Sequence, residues 1–175
     1  MALPPFNYHQ PASLVDACRM LLSFGSNAAL LAGGTDLLVK MKNRVAQPKE
    51  IISLSEMSDL TQILCTQEEM VIGACCSVSQ LAESQEVRTY FPALAMAAEQ
   101  IGSPAVRNLG TLGGNIMTAS PAADLPPALA ACKATVRVQG PQEERVLPIE
   151  QVFQGPGRTH LSREEILAEI HLKIP

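Results

Sequence analysis

The spacing of apolar positions changes several times along the chain, and each change marks an element. Leu14, Cys18, Leu21 and Leu22 recur at helical spacing within residues 12–24. Ser13 offers a capping hydroxyl at the start, and Gly25 stops the pattern. Residues 28–32 (AALLA) form an apolar run too short for a helix and suited to a buried strand. Gly33-Gly34 breaks it, and Thr35-Asp36 opens an amphipathic stretch to Arg44. Thr35 or Asp36 can cap that stretch, and Lys40, Lys42 and Arg44 suit a helix C-terminal end. The segment therefore reads strand, tight glycine turn, helix. Residues 50–54 repeat the buried-strand pattern, and residues 60–65 and 70–74 read as a hairpin around Gln67-Glu68-Glu69. From Tyr90 to Ile101 the positions Leu94, Ala97, Ala98 and Ile101 restore the helical period, which Gly102-Ser103-Pro104 ends. Residues 133–139 and 145–149 read as a second hairpin turning at Gly140-Pro141. Finally, Ile166, Ala168, Ile170, Leu172 and Ile174 alternate with Leu167, Glu169, His171 and Lys173, the pattern of a half-buried strand.

Residues 103–127 fit neither period. They are dense in Gly, Pro, Ser, Asn and Thr, yet they carry Leu109, Leu112, Ile116 and Met117. A loop this long in a compact domain is usually functional or disordered, and these apolar residues argue that it is buried. Its backbone polar groups must find partners, and a bound ligand is one source of them.

Composition narrows the class. The chain has 175 residues, 47% of them hydrophobic, so it can bury a sizeable core. With four Phe, two Tyr and no Trp, that core is aliphatic. The net charge of −4, without a basic cluster, argues against nucleic acid. It leaves room for an anionic cofactor, because backbone N–H groups bind phosphate without Lys or Arg. The five Cys are odd in number and two are adjacent, as expected of a reduced cytoplasmic protein. Neither C-x-x-C nor C-x4-C-x2-C occurs, so no iron–sulfur cluster is expected on this chain. Cys75-Cys76 reads as packing. The three His lack metal spacing, the N-terminus has no export signal, and no apolar run is long enough to cross a membrane.

Two constellations carry candidate chemistry. Leu30-Leu31-Ala32-Gly33-Gly34-Thr35-Asp36-Leu37 places paired glycines between a strand and a helix, where successive N–H groups can converge on a diphosphate. Alone, such a pair is more often only a turn. Gly110-Thr111-Leu112-Gly113-Gly114-Asn115-Ile116 adds three glycines, a hydroxyl and an amide; its alternative is a structural bend. Neither matches G-x-G-x-x-G, which disfavours a Rossmann site. Gly155-Pro156-Gly157-Arg158-Thr159 lacks the upstream Gly and the Lys of a P-loop and reads as a turn.

Taken in order, these runs resemble one family. Ala32-Gly33-Gly34-Thr35-Asp36-Leu37, the stretch from Ile101 through Gly110-Thr111-Leu112-Gly113-Gly114-Asn115-Ile116 to Ala119-Ser120-Pro121-Ala122-Ala123-Asp124-Leu125, and the tail Phe153-Gln154-Gly155-Pro156-Gly157-Arg158-Thr159 with Glu165-Ile166-Leu167 are similar to the FAD-binding subunit of the xanthine dehydrogenase and carbon monoxide dehydrogenase family. The resemblance spans essentially the whole chain. It implies an α+β, two-lobed FAD-binding domain of the vanillyl-alcohol oxidase (PCMH) type, with lobes at 1–56 and 57–175. The family's further C-terminal domain is expected to be absent. It implies FAD as cofactor, with Leu30, Leu31, Ala32, Gly33, Gly34, Thr35, Asp36 and Leu37 around the diphosphate. Thr111, Gly114 and Asn115 would meet the diphosphate and ribityl chain from the other side. Asp124, which could instead simply cap a helix, would reach the adenosine ribose, and Gly102 and Leu167 would line the ends of the site. The implied partners are a molybdenum-cofactor subunit and a [2Fe-2S] subunit, with NAD or another acceptor downstream, in the cytoplasm. The same fold also serves stand-alone flavin oxidoreductases, and a non-catalytic, partner-binding remnant is a further alternative.

Overall fold

Residues 2–175 are described by the computed structural model. A three-residue strand, β1 (Asn7–His9), leads into α1 (Leu14–Phe24), β2 (Ala28–Leu31), α2 (Leu37–Lys42) and β3 (Glu50–Ser53). The hairpin β4 (Ile63–Cys65) and β5 (Glu69–Gly73) follows, and then six helices: α3 (Val78–Glu83), α4 (Gln85–Tyr90), α5 (Pro92–Gln100), α6 (Pro104–Leu109), α7 (Leu112–Thr118) and α8 (Leu125–Ala131). The chain closes with β6 (Thr135–Gln139), β7 (Glu144–Pro148), the short pair β8 (Phe153–Gly155) and β9 (Arg158–Thr159), and β10 (Ile166–Lys173). The strands β1-β3-β2 form a parallel sheet; β4-β5-β10-β6-β7 form an antiparallel one. This is the expected mixture of helix and strand.

Local chemistry explains most boundaries. Ser13 caps α1 by accepting from the Asp16 amide, and Cys18 and Leu21 face inward, whereas Leu22 is 58% exposed and lies off the buried face. The helix expected from Tyr90 to Ile101 is broken at Phe91, because the residue before Pro92 leaves the α region at φ −133°, ψ 58°. The Gly155-Pro156-Gly157 turn joins β8 to β9 as read.

The stretch read as a long loop, residues 103–127, is instead mostly helical. Ser103 caps α6 and Thr111 caps α7 through their hydroxyls, and Pro104 and Pro126 lie in the first turns of α6 and α8. Each helix has only six or seven residues. That is too few for an apolar period to show in the sequence.

β10 departs from the expected alternation. Its register shifts between Leu167 and Glu169, a β-bulge. Ile166, upstream of the bulge, and Ala168, the extra residue in it, pack on α1 with Ala17, Cys18, Leu21, Ile52 and Leu54. Leu167, and downstream Ile170 and Leu172, pack in the larger core with β5, β6 and the helices α3–α5, α7 and α8. One extra residue flips the parity of the strand, so it contributes to both hydrophobic clusters. Each fully buried Leu or Ile there contributes roughly 1.5–3 kcal/mol. The bulge also brings Leu167 to the wall of the cavity described next.

Candidate functional site

A cavity of about 470 Å³ opens between the β2–α2 turn, the α6–α7 junction and the start of β10. Gly33 brings the first two together. A Cβ on Gly33 would lie 1.8 Å from the Leu109 carbonyl oxygen and 3.0 Å from Gly110 Cα, so the two glycine loops touch backbone to backbone. Gly34 has φ +75°, the left-handed conformation that turns the chain from β2 into α2. The N–H groups of Gly33, Gly34, Thr35, Asp36 and Leu37 donate to no acceptor among the described residues. Successive unpaired N–H groups in a half-buried turn form a concavity for an anion.

The second loop is built differently. The N–H groups of Leu112 and Gly113 donate to Cys76 and Ala74 carbonyls, and that of Gly114 donates to Thr111 Oγ1 at 3.0 Å. Of its backbone donors only the Thr111 N–H, on the cavity wall, is left without an acceptor among the described residues. What it offers beyond that is side chains. Asn115 Oδ1 is buried without a hydrogen-bond partner among the described residues, and Asn115 lines the cavity. The Thr118 hydroxyl lies 2.7 Å from Asp36 Oδ2 and 2.9 Å from the Gly114 carbonyl.

A smaller cavity, about 320 Å³, adjoins the first and shares Asp36, Ile101, Asn115 and Thr118 with it. It is floored by Ser120, Ala122 and Ala123. Ala119, held in the left-handed region at φ 47°, turns the chain from α7 into this floor.

The charge on the walls is mixed. Lys40 and Arg163 line the larger cavity together with Asp36 and Glu165. The Arg145 guanidinium grips Glu165 at 2.7 and 3.0 Å and holds its carboxyl below the usual range, which neutralises that anion locally. Cys75 lines the larger cavity, and burial pushes its thiol up to about 11, so it is a neutral wall group. Cys76, buried behind it, is pushed to about 12. All five thiols are free, in keeping with the reading of the vicinal pair as packing.

Of the residues singled out from the sequence, Leu30, Ala32, Gly33, Gly34, Thr35, Asp36, Leu37, Thr111, Gly114, Asn115 and Leu167 line the larger cavity. Gly102 and Asp124 lie on the smaller one. Leu31 backs the turn, its Cδ1 against Gly34. Two details depart from expectation. Neither Thr35 nor Asp36 caps α2; the Asp36 carboxylate turns to Thr118 instead. Asp124 occupies the N-cap position of α8 without a capping hydrogen bond, so the capping alternative does not account for it. Sequence reading missed Thr118, Cys75, Val78, Val106, Glu165 and Ile166 on the larger cavity. Thr118 follows Gly114 by one helical turn and would have stood out only once α7 was recognised.

A family model described as the FAD binding domain in molybdopterin dehydrogenase matches residues 4–175. The carbon monoxide dehydrogenase medium chain of Hydrogenophaga pseudoflava is 38% identical over 172 residues, covering 98% of this chain and 60% of that one. The xanthine dehydrogenase FAD-binding subunit of Escherichia coli O157:H7 is 32% identical over 166 residues, covering 94% and 56% respectively. The solved carbon monoxide dehydrogenase of Hydrogenophaga pseudoflava, in a form lacking the Mo-pyranopterin moiety, matches all of this chain at a TM-score of 0.96 and 61% of its own. The chain thus spans about 60% of the length of these relatives.

Proposed function

This chain belongs to the family of FAD-binding domains of molybdopterin dehydrogenases, and from that premise we propose that it holds FAD across the two cavities as the electron-transfer module of a molybdenum-containing oxidoreductase. The observation that carries the reading is the run of unpaired N–H groups at Gly33–Leu37 on the same cavity as Asn115, whose side-chain oxygen is unpartnered. A diphosphate needs converging donors, and a ribityl chain supplies hydroxyl donors for a free amide oxygen, so the residues present fit this cofactor. In this reading the Gly33–Leu37 backbone cradles the diphosphate where the two cavities meet. Asn115 accepts from the ribityl chain, Asp124 meets the ribose beyond Gly102, and Leu30 and Leu167 give the larger cavity apolar walls. The lobes are residues 1–56 and 57–175; the parallel sheet lies within the first and the antiparallel sheet within the second, which supports the division. Bound FAD supplies the redox chemistry, and the protein binds it, orients it and excludes water from it.

The wider assignment follows the relatives. One is named a carbon monoxide dehydrogenase medium chain and another a xanthine dehydrogenase FAD-binding subunit. By analogy this chain works with a molybdenum-cofactor subunit and a [2Fe-2S] subunit, receives electrons from the latter, and passes them to NAD or another acceptor. Its place of work is the cytoplasm. Five free thiols support that compartment, and among the described residues no helix is long and apolar enough to cross a membrane. The test is an absorbance spectrum of the purified chain before and after adding FAD, followed by gel filtration. A visible flavin band that co-elutes with the protein is expected. Free FAD eluting entirely apart from the chain would overturn the reading.

A further inference from the structure

The two glycine loops come from opposite sides of the cavity, and a diphosphate cradle works only if its walls keep their spacing. Van der Waals contact at Gly33 sets a minimum distance but does not pull the walls together. One polar contact does. Thr118 Oγ1 and Asp36 Oδ2, 82 residues apart in the chain, are separated by 2.7 Å. Both residues line both cavities, so this contact stands where the larger and the smaller space meet.

The geometry of each partner is specific. Asp36 occupies the N-cap position of α2 in helical conformation (φ −94°, ψ −49°), yet makes no capping hydrogen bond. Its carboxylate is committed across the cavity rather than to its own helix. Thr118 is the last residue of α7, immediately before left-handed Ala119. The Gly114 carbonyl one turn back, 2.9 Å away, is a second acceptor for the single hydroxyl proton, and Asp36 is the nearer and charged one. The same turn of α7 carries Asn115, so whatever holds Thr118 also sets the distance from Asn115 to the Gly33–Leu37 amides.

We propose that Thr118 and Asp36 form a strut that positions the second loop against the first for the diphosphate-bearing cofactor, with Thr118 a positioning residue of the site. This rests on the FAD reading above. The Asp36 carboxylate serves through its hydrogen bond. Its negative charge works against a neighbouring diphosphate, and the flanking amides offset that repulsion.

The test is a double-mutant cycle on the full chain, read as the dissociation constant for FAD by quenching of flavin fluorescence. Thr118→Val should weaken binding about five- to tenfold, the scale of one charge-assisted hydrogen bond in a partly exposed site, and Asp36→Ala should weaken it less, because it also removes the opposing charge. The double variant should be no weaker than the poorer single one, because both remove the same contact. Thr118→Ser keeps the hydroxyl and should restore affinity. Asp36→Asn keeps an acceptor for the Thr118 hydroxyl and loses the charge, so it should bind FAD at least as well as the parent, with the gain largest at low salt. Additive losses in the double variant, no loss from Thr118→Val, or an Asp36→Asn loss equal to that of Asp36→Ala would each overturn the strut while leaving FAD binding in place. A parent chain that binds no FAD at all would overturn both this inference and the reading beneath it.

Discussion

Replacing Gly33 by Ala tests the contact on which the candidate site is built. The added Cβ would lie 1.8 Å from the Leu109 carbonyl oxygen, 2.7 Å from its carbon and 3.0 Å from Gly110 Cα. These atoms are all backbone, so no side chain can swing away. Restoring an ordinary carbon–oxygen separation of about 3.3 Å requires the two loops to part by about 1.5 Å. Gly33 does not occupy the left-handed region, so the effect is steric and not one of backbone strain. Overpacking of this kind costs about 2–3 kcal/mol, which in a domain of this size lowers the melting midpoint by about 4–12 °C. Separation of the loops also spoils the spacing between the 33–37 amides and Asn115, so the affinity for FAD should fall by more than about tenfold. The assay is thermal unfolding beside an FAD titration at a temperature where each variant is folded. Leu94→Ala is the control, since Leu94 is fully buried in the main core and lines neither cavity. It should lower the midpoint through a core cavity and leave the affinity of the folded protein unchanged. The reasoning fails if Gly33→Ala keeps the parent midpoint, or if it weakens FAD binding no more than Leu94→Ala does.

Two further outcomes follow from polar groups. Asn115→Ala removes a buried amide oxygen that has no protein partner, so unfolding measured without FAD should show equal or slightly greater stability, while the FAD dissociation constant rises about tenfold; a loss of stability without a loss of affinity would mean that Asn115 serves the fold and not the ligand. On the antiparallel sheet, Arg137 holds Glu169 through two hydrogen bonds of 2.6 and 2.8 Å, and this, with help from His171, keeps the Glu169 carboxyl below its ordinary 4.5. The stability it contributes is complete above 4.5 and is lost as pH falls through the lower folded value, so denaturant titrations should show stability dropping with acid below pH 4.5. Arg137→Met should lower stability at neutral pH and flatten that acid slope; an unchanged slope would assign it to other carboxylates.

How much of this the sequence disclosed depended on element length. α1, β2, β3 and both hairpins are legible because their apolar positions run long enough to show a period or are bounded by clear turn residues. β1, with three residues, and α6 and α7, with six and seven, carry no readable period, so the region that builds half the cavity reads as a loop. Its capping residues were nonetheless visible: Ser103 before Pro104, and Thr111 three residues before Gly114. The bulge in β10 is invisible for a different reason. Alternation continues unbroken through Ile166, Ala168 and Ile170 in the sequence, and only the pairing with β6 slips. Register belongs to two strands at once and cannot be read from one. The candidate site was legible as residue types, since the motif residues fall on the two cavities or directly behind the turn between them. The partner of Asp36 was not, because an 82-residue separation leaves no local signal.

The two glycine loops also show why glycine content is a poor guide to what a loop does. Both have adjacent glycines and both begin a short helix. In the second, Gly113 is small because the Ala74 backbone and Cβ lie within 2.8 Å of where a side chain would start, and the neighbouring N–H groups are spent on Ala74, Cys76 and Thr111. That glycine serves packing, and beyond the one free N–H of Thr111 the loop can address a ligand through side chains such as Asn115. In the first, Gly33 serves packing and Gly34 the turn, yet the five amides from Gly33 to Leu37 find no acceptor among the described residues. The distinction rests on where each backbone donor goes and not on composition. On the proposed FAD reading, it would give the anion mainly to the first loop and orientation to the second. A chain with this division of labour needs a contact that keeps the two loops in register, which is the part the Asp36–Thr118 pair is placed to play.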